Sequence, residues 1–128
     1  MSVKVLTEEW TTRLTEAASG DPVLQEVTKG KKILFEMHVS GSPGLDIYHI
    51  HFNDGATTFT PGPAENPDLN GSVSFETMVA LSRGELTGQA AAMTGKMKVT
   101  GNMGQMMQVG PALDQLARIE AEIGTSYE

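Results

Sequence analysis

The hydrophobic period of this chain switches back and forth between that of a helix and that of a strand, and the order of those switches dictates the kind of fold it can adopt. Thr7 reads as a helix cap, with Glu8 and Glu9 in the first turn, where the helix dipole favours acidic groups. Trp10, Leu14, Ala17 and Ala18 follow at i, i+4, i+7 and i+8, one stripe of a helix that Gly20 ends. Asp21-Pro22 starts a second short helix, with Asp as the cap and Pro at the first helical position. Val23, Leu24 and Val27 give it a buried side, and Gly30 ends it. The period then drops to two. Ile33, Phe35, Met37 and Val39 alternate with Leu34, Glu36, His38 and Ser40, the pattern of a strand with one buried face. Residues 45–52 repeat it, with Tyr48, Ile50 and Phe52 on one face and Ile47, His49 and His51 on the other. Asn53-Asp54-Gly55 carries a hairpin signal and leads into a third strand over 57–60. Loops this short join antiparallel neighbours.

Residues 61–67, with Pro61, Pro63 and Pro67, read as a surface loop. A fourth strand is expected over 68–73. Ser74 caps a helix through Arg83, with Phe75, Met78, Val79 and Ser82 on one side and Gly84 just past its end. Thr87 to Met93 reads as a short helix of small residues, and Lys96 to Thr100 as a fifth strand. From Gly101 the period returns to 3.6. Met103, Met106, Met107 and Gly110 share a helix face, Gly110-Pro111 breaks the helix, and Leu113, Leu116, Ile119 and Ile123 stripe a last one. Helical blocks around a block of strands give an α+β fold, a curved sheet with helices on one face. With 128 residues the chain is expected to be one domain, 1–128, because neither side of the proline loop holds a complete core.

Charge and composition remove several function classes. Sixteen acidic residues against nine basic ones leave a net charge of −7. Phosphate backbones are bound by clustered Lys and Arg, so no nucleic-acid partner is expected, and contact with membranes is expected to be transient at most. The chain has no cysteine, hence no thiol nucleophile and no cysteine zinc site. Neither an apolar signal segment nor a run of about 20 apolar residues is visible, and the expected location is the cytoplasm. Gly95-Lys96 lacks the rest of a phosphate loop, since Ala90 and Met97 stand where the first Gly and the Ser or Thr are needed. His49 and His51 share a strand face, with His38 and Glu36 on the neighbouring strand. Such a set suits a divalent metal or a general base, but an exposed sheet face with polar pairs accounts for it as well. No activated nucleophile accompanies it. We therefore expect no catalytic residues, no metal and no cofactor.

The eight methionines point elsewhere. Met103, Met106 and Met107 share a face, and Met78, Met93 and Met97 lie close by in the predicted order. Flexible, polarizable thioethers make soft walls that adapt to apolar shapes. Gly101 and Gly104 flank the stripe, as where a backbone approaches something closely, and a hinge at Gly110-Pro111 would let the last helix move as a lid over a cavity that admits a long apolar molecule.

Residues Asp68 to Val109 resemble the sterol carrier protein 2 (SCP2) domain family. The resemblance is carried by Pro67-Asp68, Gly71-Ser72-Val73-Ser74 and Leu81-Ser82-Arg83-Gly84, and most strongly by Met93-Thr94-Gly95-Lys96-Met97-Lys98-Val99-Thr100-Gly101-Asn102-Met103-Gly104. It implies a stand-alone domain with a five-stranded, mainly antiparallel sheet, helices on one face, and an apolar tunnel between them. The implied ligand is a fatty acid, acyl-CoA, phospholipid or sterol, bound and transferred inside the cell without catalysis. By the same analogy Met97, Val99, Met103, Met106, Met107 and Leu113 line the tunnel, with Phe75 and Met78 opposite, and Gln105 or Gln108 offers a polar group to the ligand head. The chain lacks the peroxisomal tail and the basic charge of the best-known members. Residues 1–30 match in element order alone. An alternative is an accessory or oligomerising domain whose Met-rich groove binds a protein partner, as a monomer or a dimer.

Overall fold

Among the described residues all five helices begin on a capping side chain that accepts the amide of the third helical residue: Thr7, Asp21, Ser74, Thr87 and Asn102. These local bonds satisfy amides that a helix start otherwise leaves open, and they fix where each helix enters the fold. The structure, a computed structural model, describes residues 3–127. In chain order the elements are β1 (Val3–Lys4), α1 (Glu8–Ser19), α2 (Pro22–Thr28), β2 (Lys32–Ser40), β3 (Ile47–Asn53), β4 (Ala56–Pro61), β5 (Leu69–Ser74), α3 (Phe75–Ser82), α4 (Gly88–Met93), β6 (Met97–Gly101), α5 (Met103–Glu122) and β7 (Thr125–Ser126).

The main sheet has five strands in the order β4-β3-β2-β5-β6. Its neighbours are antiparallel except β2 and β5, which run parallel with Phe35 opposite Leu69 and Val39 opposite Val73. The register sets Phe35 against Ile50 and Ile50 against Phe59, so the alternating apolar residues share one face. Helices cover that face. Trp10 is fully buried there, edge-on to Tyr48 with ring centroids 5.5 Å apart and against Phe59 at 6.0 Å. The α+β class and the helix-on-one-face arrangement are as the sequence periods indicate.

Two features differ from the sequence expectation. First, α5 runs unbroken from Met103 to Glu122 through Gly110-Pro111. Pro111 lacks the amide that would bond the Met107 carbonyl, but Met107 is 81% exposed, so the missing bond falls on the solvent side of the helix, where it costs least. Second, β1 and β7, too short to show in a periodicity, pair parallel through Val3–Thr125 and Lys4–Ser126 and close the two ends of the chain on each other.

Gly101 ends β6 at φ +120°, and a Cβ there would run into the Asp68 carbonyl oxygen just before β5. Gly101→Ala is expected to destabilise the fold by about 2–3 kcal/mol in chemical denaturation. An unchanged midpoint would show that the strand end is free to relax.

Candidate functional site

The core face of the sheet and the helices above it do not meet everywhere. Between them lies a cavity of about 440 Å³. Phe35, Met37, Tyr48, Ile50 and Phe59 form its floor, Met78 and Leu81 of α3 one wall, and Leu113, Leu116 and Ala117 of α5 the other. The floor follows from strand alternation and the α5 wall from helical spacing. The opening is a slit between the end of α3 and α5, edged by the exposed Arg83, Thr87, Asp114 and Arg118.

The two ends of the cavity differ in chemistry. At the end near Gly88, Leu113 Cδ1 and Met97 Cε lie at ordinary contact range, 4.0 Å from where a Cβ would stand, and with Leu86 they make this part of the lining mainly apolar. The other end holds Glu120, Tyr48 and Ser82. Glu120 is only 9% exposed, and burial among apolar groups pushes its carboxyl up to about 7, although the nearby Ser82 hydroxyl favours its charged form. Burial and the neighbouring Glu120 raise the Tyr48 hydroxyl as well. The Ser82 hydroxyl is hydrogen-bonded to the Tyr127 hydroxyl, and the Arg83 guanidinium lies 4.8 Å over the Tyr127 ring. Sequence reasoning passed over Glu120. Its signal was present: it stands seven residues after Leu113 and four after Leu116, on the apolar stripe of the last helix.

Of the residues expected to line a binding tunnel, Met78, Met97 and Leu113 meet around this cavity. Phe75 lines an adjoining shallow groove with Val79, Arg83 and Tyr127. Val99 and Met106 are half-buried against the core. Met103 is 58% exposed and, like Met107, stands on the outer side of α5. Gln108 is exposed too, its carbonyl accepting a bond from Lys31 Nζ at 2.9 Å, while Gln105 lies in the first turn of α5.

The histidine face is on the far side of the sheet. It is more enclosed than an open sheet face, because the loop between β4 and β5 folds back over it. The Ala64 amide donates to Glu36 Oε1 at 2.7 Å, and His49 Nδ1 lies 2.9 Å from the Gly62 carbonyl oxygen. His38 Nε2 pairs with Glu36 Oε2 at 2.6 Å. Burial alone would raise the Glu36 pKa, but the Ala64 amide and His38 hold it below the usual value. Among the described residues no three His, Asp or Glu groups converge as a metal site would require. Glu36→Gln is expected to cost about 1 kcal/mol near neutral pH. Because the folded pKa is depressed, that difference should shrink as acid protonates the wild-type carboxylate. Urea midpoints of both proteins near neutrality and in acid check this, and a constant difference would reject the assignment.

Comparison with known proteins supplies the remaining observations. The family model described as the SCP-2 sterol transfer family matches residues 13–114. The fold superposes on that of a conserved hypothetical protein from Thermus thermophilus, described as possibly a sterol carrier protein, with a TM-score of 0.79 at 17% identity, covering 100% of this chain and 96% of that one. It also superposes on the sterol carrier protein domain 2 of Helicoverpa armigera, with a TM-score of 0.62 at 28% identity over 86% of this chain and 87% of the other. A third neighbour is palmitated SCP2L2 from Aedes aegypti, with a TM-score of 0.60 at 19% identity over 88% and 95% of the two chains. No curated protein sequence matches.

Proposed function

The chain belongs to the SCP-2 sterol transfer family, and on that footing we propose that it is a non-catalytic carrier that takes up one lipid-like molecule in the cavity between its sheet and α3 and α5. The observation that carries this reading is the cavity itself. At about 440 Å³ it falls within the range of small-molecule sites, roughly 300–1,000 Å³, and its lining is mostly apolar. Burying about fifteen methylenes at ~0.8 kcal/mol each offers on the order of 12 kcal/mol before association costs. Micromolar binding then needs no strong polar anchor. The mosquito neighbour is described as palmitated, which favours an acyl or similarly slender chain.

A ligand longer than the cavity extends beneath the first turns of α5. There the half-buried Val99 and Met106 join Met78, Met97 and Leu113 as a soft lining, while Phe75 in the adjoining groove and the outward Met103 and Met107 would meet only a part of the ligand that emerges at the surface. The absence of a recognisable nucleophile–base pair in the sequence, and the bonds that already engage His38 and His49, favour binding over catalysis. Among the described residues no helix is long and apolar enough to cross a membrane. The carrier is proposed to work in the cytoplasm. One observation favours a second reading: Met93, Met103 and Met107 are exposed, and such a surface also suits a protein partner or a second copy of the chain.

Native mass spectrometry after loading with palmitate, palmitoyl-CoA, a phospholipid and a sterol separates the two readings. A one-to-one lipid adduct on a monomer is expected. A folded protein that takes up none of the four, and instead appears as a dimer, would move the function to the methionine surface.

A further inference from the structure

A carrier with a purely apolar cavity would sort ligands by shape alone, and this cavity is not purely apolar. From the geometry of its polar end we infer that Glu120, with Tyr48, Ser82 and Tyr127, selects a lipid whose polar end is an uncharged hydroxyl and turns away one that ends in a carboxylate. The inference rests on the carrier reading above and deepens it by naming the ligand's head group.

Three observations support it. Glu120 lines the cavity and is nine-tenths shielded from water, so a head group reaching it meets a carboxyl without bulk solvent between them. The groups that face it are Tyr48 from β3, Ser82 from the end of α3, and, through Ser82, Tyr127 after β7. All three are hydroxyls. Two cations edge the slit, but Arg83 is stacked on the Tyr127 ring and Arg118 is exposed on the rim. No cation within the described residues offsets the Glu120 charge. An ionised ligand head placed here would set two carboxylates side by side at low dielectric, which forces one of them to take a proton. A hydroxyl donates to the Glu120 carboxylate, or exchanges bonds with the neutral acid, and carries no such penalty. Long-chain alcohols, monoacylglycerols and sterols share this hydroxyl chemistry.

The test compares two ligands of equal chain length, 1-dodecanol and laurate, titrated calorimetrically into the intact protein near pH 6 and near pH 8.5. Laurate carries an ordinary carboxyl and stays ionised across this range, so its own protonation does not enter. With the Glu120 carboxyl at about 7, laurate must capture the protonated form, and its affinity should fall roughly 30-fold between the two pH values. Dodecanol should bind more tightly than laurate at the higher pH and change by no more than about twofold. Glu120→Gln should flatten the laurate profile while the protein still binds dodecanol. The wild-type pH series stands even if that variant does not fold. Laurate that binds as tightly as dodecanol at both pH values, its head then resting on the rim arginines, would overturn the inference and leave the carrier reading intact. Failure of both ligands to bind a folded protein would withdraw the carrier reading and this inference together.

Discussion

Placing tryptophan at Ala117 is expected to weaken lipid binding roughly 100-fold while leaving the protein folded. Ala117 is half-buried on α5 and lines the cavity one turn from both Leu113 and Glu120. An indole there fills space that the fold leaves empty, so it displaces ligand and not protein. Excluding about four methylenes at ~0.8 kcal/mol each amounts to about 3 kcal/mol, which sets the size of the expected loss. Calorimetry with 1-dodecanol measures the affinity, and the thermal midpoint shows whether the indole fits. An unchanged midpoint with unchanged affinity would mean that the ligand lies elsewhere, and the outer methionine face of α5 would be the next surface to examine.

Replacing Glu120 by Gln is expected to stabilise the protein by about 2–3 kcal/mol above neutrality and to change little in acid. The carboxyl moves from an ordinary 4.5 to about 7 on folding. Between those values the folded state holds a proton that the unfolded state has released, so wild-type stability falls as pH rises through this window and levels off above it. Glutamine keeps the shape and hydrogen-bonding groups but has no charge to desolvate. The readout is the difference in urea midpoint between variant and wild type, taken at about pH 5 and about pH 8, which cancels the titration of groups common to both. A difference that does not widen with pH would show that Glu120 reaches water, and the head-group selection inferred above would lose its basis.

Local signals made most of the fold legible. Helix caps are set by residues three apart, and each strand of the first meander by simple alternation, so the caps Thr7, Asp21 and Ser74 and the Ile33–Val39 and Tyr48–Phe52 faces stand where the residues indicate, while the caps Thr87 and Asn102 come from the structure alone. What escaped were relations between distant segments. The parallel contact of β2 with β5 depends on the proline loop passing over the histidine face, and nothing in either strand encodes it.

The candidate site was partly legible for a related reason. Treating Gly110-Pro111 as a break allows the methionine turns to be phased independently of the helix that follows. Because α5 is continuous, Val109, Ala112, Leu116 and Ile119 phase the whole helix, leaving Met106 against the core and Met103 and Met107 outward. The same continuity carries Glu120 round to the cavity.

The ladder between β1 and β7 joins residues near 3 to residues near 125. Closing a loop of that length costs about 4 kcal/mol of chain entropy beyond a constant, and a two-residue ladder repays little of it. What sustains it is the burial of Val3, Val5 and Leu6, which forms only once the sheet and α1 are in place. This clasp is therefore expected to assemble last and to come undone first, with amide exchange at Val5 and Val3 far faster than in β2 and β3. Tyr127, which leans on Ser82 at the polar end of the cavity, belongs to the same late-forming segment. The segment expected to open first thus adjoins the place where a ligand head would rest, and the rate of its opening would set how quickly that end exchanges with solvent.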